Sequence, residues 1–230
     1  MLTKIPNILT LGRIVAIPLL IVALIFLDAP LANWIAFTFY TLACVTDFFD
    51  GYLARVLSQQ SAFGRFLDPI ADKLLVASVL LVLVGVDRIN DVTVLPAAVI
   101  LCREILVSGL REFLAEVRVR MPVTALAKWK TTIQMLALGF LLVGPAGPDF
   151  GPFTTTEIGI IGLWGAALLT LVTGADYLIV GIRQIAAVDE KSADEAGKAD
   201  DKVGGKADGK AKADGKAKAD DGNGKIRTAG

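Results

Sequence analysis

Histidine is absent from the 230 residues. No imidazole is therefore on hand as general base, metal ligand or pH switch, and enzyme classes built on one are excluded. Cysteine is scarce: Cys44 and Cys102 each lie in an apolar run without metal-ligand spacing, so they read as small buried hydrophobes and imply neither a disulfide nor a zinc site. Net charge is lacking too, with 23 basic residues against 23 acidic ones. That zero averages an apolar body with a charged tail, and no nucleic-acid partner is expected from it. The stretch from Met1 to Asn7 opens into a hydrophobic segment without a small-residue cleavage site, so it reads as the start of a first membrane helix and not as a removable signal peptide.

What is present is apolar: 54% hydrophobic residues and a mean hydropathy of +0.63, the composition of a polytopic helical membrane protein with a soluble appendage. A spanning helix needs about 20 mostly apolar residues. Runs of that kind predict an all-α protein of about six transmembrane helices, placed at Ile8 to Leu27, Leu31 to Leu57, Pro69 to Val86, Val94 to Ala115, Thr124 to Val143 and Glu157 to Ala186. Polar or Pro/Gly-rich breakers separate them. Residues 1–186 form the expected transmembrane catalytic domain. Residues 187–230 turn to Lys, Ala, Asp and Gly with a near-repeat from Lys206 to Asp220; such a segment has too little apolar area to offset its ordering entropy and is expected to be a disordered cytoplasmic tail, dispensable for chemistry.

Short cytoplasmic loops carry the excess of Lys and Arg. One set of helix ends holds Lys4, Arg13, Arg65, Lys73, Arg118, Arg120, Lys128, Lys130 and Arg183, whereas the opposite loops hold only Arg88. Both termini are thus expected in the cytoplasm, with the chain a multi-pass membrane protein. In that orientation Asp47, Asp50, Asp68 and Asp72 all fall at one depth near the cytoplasmic face, and the fourth, fifth and sixth segments bring Arg103, Glu104, Arg111, Lys128, Lys130, Asp176 and Tyr177 to the same end.

Asp47 and Asp50 are three apart and Asp68 and Asp72 four apart, so each pair shares a helical face. Four carboxylates gathered in low dielectric cannot all stay ionised without cations between them, and oxygen-only ligands select hard ions such as Mg²⁺ or Mn²⁺. A site for two divalent ions follows. Gly51 and Ala54 share the face of the first pair and Gly64 lies near the second, which removes bulk where a substrate would approach. Asp68 precedes Pro69, so either it caps the third helix or that helix starts earlier and runs through the proline. A polar packing network or an ion pathway is the competing account of the four acids.

The spacing D-x2-D-G-x2-A-R-x8-G-x3-D-x3-D is met without a departure by Asp47, Asp50, Gly51, Ala54, Arg55, Gly64, Asp68 and Asp72. On it the chain resembles the CDP-alcohol phosphatidyltransferases over its membrane body, to about Ala186. Softer runs, Asn7-Ile-Leu-Thr10-Leu-Gly-Arg13, Phe66 to Lys73, Arg103 to Glu112 and Lys128-Trp-Lys130-Thr131, are most similar to the bacterial members that make phosphatidylglycerophosphate. The resemblance implies transfer of the phosphatidyl group of CDP-diacylglycerol to a hydroxyl of sn-glycerol 3-phosphate, releasing CMP. It implies two divalent ions on Asp47, Asp50, Asp68 and Asp72, with Asp72 also the general base, and the nucleotide over Asp47, Asp50, Gly51, Ala54, Arg55, Gly64 and Asp68.

Arg103, Arg111, Lys128 and Lys130 outnumber the acids Glu104 and Glu112 beside them, which suits a pocket for the acceptor's phosphate; snorkelling and internal pairing form the competing reading. The same excess disfavours serine or phosphatidylglycerol as acceptor and leaves inositol phosphate open. Asn7, Thr10 and Arg13 repeat at threes along one face of the first helix, either bearing on the site or anchoring at the interface. Gly159, Gly162 and Gly165 predict close helix packing, with a homodimer contact as a second use. Membrane lipids are the expected surroundings. An ion-coupled secondary transporter is the alternative of another class, but it calls for interrupted helices, an internal repeat and acids at the midplane, and the sequence has none of these.

Overall fold

The computed structural model describes residues 5–56, 62–117, 125–175 and 177–186. The tail at 187–230, Asp176, Leu57, Arg118, Arg120 and Thr124 lie outside them. Among the described residues there are helices and turns but no strand, apart from one isolated bridge between Phe150 and Phe153. The six long helices are α1 (Ile5–Phe26), α2 (Leu31–Val56), α3 (Ala62–Gly85), α4 (Val94–Glu116), α5 (Ala125–Val143) and α6 (Thr155–Ala186), the last described on both sides of residue 176.

One boundary differs from expectation by more than a turn. The third helix begins at Ala62 and carries Pro69 inside it, so Asp68 sits in the helix interior and does not cap it. The first two turns hold Gly64 and Arg65, too polar a stretch to register as an apolar run. The sixth begins at Thr155 because Thr154 and Glu157 form a capping box: the Thr154 amide donates to Glu157 Oε2 (2.8 Å) and the Glu157 amide donates to Thr154 Oγ1 (3.2 Å),.

α1 packs against α2 and α3, α2 also against α5, and α3 against α4 and α5. Buried positions on α1 recur at Thr10, Arg13, Ile17, Leu20 and Leu24, and on α2 at Ala32, Ala36, Tyr40 and Ala43, the alternating three and four of a helix with one face turned inward. α6 lies close to two neighbours because glycine lets it. A Cβ on Gly159 would stand 2.8 Å from Leu141 Cγ, one on Gly162 2.9 Å from Ala137 Cβ, and one on Gly174 3.0 Å from Arg103 Cγ. Gly159 and Gly162 thus serve packing within the chain, while Gly165 faces open space.

Large apolar side chains cover the outside as well, among them Val15, Leu81, Leu95, Leu136, Ile161 and Leu168. A bundle apolar within and without belongs in a bilayer. By length and composition three of the helices, α1, α4 and α6, are apolar enough to cross one; α2, α3 and α5, of 26, 24 and 19 residues, carry polar and charged residues near one end. Cys102 is exposed on this outer surface and not buried as expected, and Cys44 is half-buried.

At the end of the bundle where α5 terminates, a single cation holds three elements together. Arg88, between α3 and α4, donates from Nη1 to the carbonyls of Leu141 (3.0 Å) and Leu142 (2.8 Å) and from Nη2 to Asn33 Oδ1 (2.5 Å). Asn33 Nδ2 in turn donates to the Val143 carbonyl (3.1 Å). The orphan carbonyls at the C-terminus of α5 are satisfied, and a positive charge faces the negative end of its dipole. Gly144 follows with φ +51°, and a Cβ there would run into the guanidinium, whose Cζ would be 2.9 Å away. Arg88→Met should therefore destabilise the protein by roughly 2–3 kcal/mol, seen as a lower thermal unfolding midpoint in detergent, and Arg88→Lys should recover only part of it because an ammonium lacks the planar fork. An unchanged midpoint in Arg88→Met would show the latch to be idle.

Candidate active site at one end of the bundle

The inward stripe of each helix changes character along its length. On α1 it is polar at Asn7, Thr10 and Arg13 and apolar from Ile17 onward; on α5 it is polar at Lys130 and Gln134 and apolar from Ala137 to Leu142. α3 repeats the pattern, with Asp68 and Asp72 before Leu75, Val79 and Leu83. The polar parts lie at one end of the bundle and the apolar parts close off the rest.

α1 supplies the partners of the acids. Arg13 is fully buried and its Nη1 lies 2.5 Å from Asp47 Oδ1 on α2; Thr10 Oγ1 donates to Asp68 Oδ1 on α3 at 2.7 Å. A buried guanidinium without a carboxylate would be strongly destabilising, so α1 and α2 are registered by this pair. The polar face of α1 is thereby decided in favour of the site and against an interfacial anchor. Its spacing at threes was the signal, and only the neighbouring helices could show what it faces.

A cavity of about 430 Å³ opens beside these acids between α3, α4, α5 and α6. Asp72 and Lys73 line it from α3, Arg103, Glu104 and Arg111 from α4, Lys128 and Lys130 from α5, and Tyr177 from α6. All four cations expected around an acceptor phosphate are therefore brought to one space, together with the expected base. Asp72 shares this cavity with Lys73 of its own helix, Arg103 and Arg111 of α4 and Lys128 and Lys130 of α5.

The cations are not equivalent. The buried Lys130 pairs with Glu104, which also lies 3.7 Å from Arg103. Arg103 donates from Nη2 to Thr173 Oγ1 (3.3 Å) and its guanidinium stands 5.5 Å from the centre of the Tyr177 ring. Lys73 reaches Glu112 at 3.4 Å. Among the described residues Arg111 and Lys128 have no acidic partner, and both are exposed to the cavity side. The site thus holds uncompensated positive charge where an anion can reach it.

Asp50, Gly51, Ala54 and Arg55 lie on α2, but their side chains are outside the described residues; Gly64 is buried on α3. The carboxylate cluster is therefore described in Asp47, Asp68 and Asp72. No group of three or more ligands close enough to cage an ion occurs among the described residues, since Asp47 is turned to Arg13 and Asp68 to Thr10. The chemistry of the donors present, carboxylate oxygens with no imidazole in reach, fits a hard divalent ion such as Mg²⁺ or Mn²⁺. Gln134, whose amide also lines the cavity, was missed in the sequence; its signal was a lone amide one turn beyond Lys130 in an otherwise apolar run.

Residues 3–172 match the family model of the CDP-alcohol phosphatidyltransferases. The chain is 47% identical over 174 residues to a CDP-diacylglycerol–glycerol-3-phosphate 3-phosphatidyltransferase of Rickettsia bellii, covering 76% of this chain and 93% of that protein. Proteins of the same name from Cereibacter sphaeroides and Salmonella choleraesuis are 40% and 41% identical, with the same coverage of both chains. The family match spans α1 to α5, the first part of α6 and both pairs of aspartates, and the chain belongs to the CDP-alcohol phosphatidyltransferase family.

Proposed function

We propose that the protein transfers the phosphatidyl group of CDP-diacylglycerol to a hydroxyl of sn-glycerol 3-phosphate, giving phosphatidylglycerophosphate and CMP. The observation that carries this reading is the meeting of Asp72 with Arg111 and Lys128, which have no acidic partner among the described residues, in one cavity, within a chain whose relatives bear the name of that reaction. An acceptor with a phosphate at one end and a hydroxyl at the other fits those charges. The hydroxyl oxygen attacks the phosphorus that bears the diacylglycerol, its proton passes to the Asp72 carboxylate, and the bond to the CMP oxygen breaks with CMP leaving on the bonding pair. A carboxylate is the natural base in a chain without histidine,.

Asp47, Asp50, Asp68 and Asp72 would hold two Mg²⁺ or Mn²⁺ ions, which when bound neutralise the pyrophosphate of the donor. Gly51, Ala54, Arg55 and Gly64 complete the nucleotide side, Arg55 as a cation for phosphate and the small residues as room for approach. The site faces the cytoplasm of the bacterial inner membrane. Charge bias supports this orientation, and the lone basic residue of the opposite loops, Arg88, is engaged with the C-terminus of α5 and so weakens no topology signal. The closed apolar half, with Leu20, Leu83 and Leu141 buried, supports an enzyme open at one end over a transporter. Any homodimer through α6 would use the open Gly165 side.

CMP release from CDP-diacylglycerol by the purified protein tests the reading, with glycerol 3-phosphate, inositol phosphate or serine offered in turn. Release is expected with glycerol 3-phosphate alone, stopped by a chelator and restored by Mg²⁺ or Mn²⁺; release only with another acceptor would replace the proposed one. Asp72→Asn should lower turnover by about 10²-fold or more while the protein still elutes as a single species. Arg111→Leu should raise KM for glycerol 3-phosphate roughly tenfold or more, the loss of a charge-assisted contact, with KM for CDP-diacylglycerol little changed; equal changes in both would take Arg111 out of the acceptor pocket. We also expect the chain ending at residue 186 to keep full activity, since the tail at 187–230 reads as disordered and lies beyond the family match; a loss of turnover on its removal would give the tail a catalytic role.

A further inference from the structure

Gln134 is buried at 2% exposure on α5, one turn beyond Lys130 on the same inward stripe, and lines the cavity that Asp72 and Lys130 line. Its amide oxygen Oε1 is buried and has no hydrogen-bond partner among the described residues. Buried amides are ordinarily satisfied, so this one is kept for something that enters the cavity. The cations beside it suit a phosphate, but a carbonyl oxygen accepts only from a donor, and a phosphate dianion has none to give. What the amide lacks is a hydroxyl. A hydroxyl both donates and accepts, so it would serve the amide in either orientation.

The acceptor proposed above has a second hydroxyl between its phosphate and the reacting one. Lys130 and Gln134 are separated by one turn, about 6 Å along the axis, and the three-carbon acceptor is long enough to touch both. We propose that the Gln134 side-chain carbonyl accepts a hydrogen bond from the non-reacting hydroxyl of the acceptor, so that the site selects a phosphorylated diol over a phosphorylated simple alcohol. The inference rests on the acceptor reading above and adds to it a residue that distinguishes among phosphate-bearing alcohols.

The test compares kcat/KM for glycerol 3-phosphate and for 3-hydroxypropyl phosphate, which keeps the phosphate and a primary hydroxyl and lacks the middle one. Both are measured with CDP-diacylglycerol and Mg²⁺ in detergent micelles. The protein should prefer glycerol 3-phosphate by roughly tenfold or more. Gln134→Met, similar in shape but without the acceptor oxygen, should bring that ratio close to one by losing activity on glycerol 3-phosphate while 3-hydroxypropyl phosphate is used as before. A variant that keeps the original ratio, whether both substrates suffer together or neither does, overturns the inference, because a packing role moves both alike. Should Gln134→Met not purify as a folded protein, Gln134→Glu keeps the shape and an acceptor oxygen and should retain the preference; its loss there overturns the inference as well. Unaltered protein that uses both acceptors equally sinks this inference alone, and unaltered protein that uses neither sinks the acceptor reading beneath it.

Discussion

Two buried cations set the terms for the polar end of this bundle. Arg13 and Lys130 are 1% and 2% exposed, and neither can be carried into a membrane interior without a carboxylate to meet it. Arg13 finds Asp47 and Lys130 finds Glu104. The first pair joins α1 to α2 and the second joins α5 to α4, so the charges are part of how the helices find their register. Removing an acid from either pair would leave a buried positive charge uncompensated, which makes the acids structural as well as chemical.

The opposite end is held by a different arrangement. There Arg88 faces carbonyl oxygens and an asparagine instead of an acid, so the cation serves backbone groups that would otherwise be unpaired at the end of α5. Between the two ends lies the apolar core of Leu20, Leu75, Leu83, Ile100, Leu138 and Leu163. This division has a consequence for substrate access. The proposed lipid donor would keep its acyl chains beside the apolar outer surface while its head group reaches the cavity at the polar end.

Much of this was legible in the residues. The six helices, the gathering of acids and cations at one end and the membership of the family follow from apolar runs, the charge bias of the loops and an eight-position motif. What escaped had physical causes. The start of α3 was hidden because Ala62 to Leu67 is not an apolar run and because proline usually marks a beginning, whereas Pro69 here lies inside the helix,. The partners of Arg13 and Thr10 are 34 and 58 residues away in sequence, and no local pattern carries that information. Cations of equal sequence standing became unequal for the same reason: Glu104 bonds to a lysine 26 residues along, and this leaves Arg111 and Lys128 to their surroundings.

Glu104 also answers why the proposed acceptor pocket should hold an acid at all. Among the described residues five cationic side chains line the cavity against Asp72 and Glu104, with Glu112 beside Lys73, and like charges that close repel in a medium of low dielectric. Without Glu104, Lys130 would be buried with no charge partner, and the favoured response would be to lose its proton or to pull the helices apart. With Glu104 in place the buried Lys130 has its charge partner and Arg103 lies 3.7 Å from the same carboxylate, while among the described residues Arg111 and Lys128 stand open to a ligand. An incoming phosphate then need not displace an internal ion pair to bind; it meets charge that the fold has left exposed, near the carboxylate that would take the proton of the hydroxyl it carries.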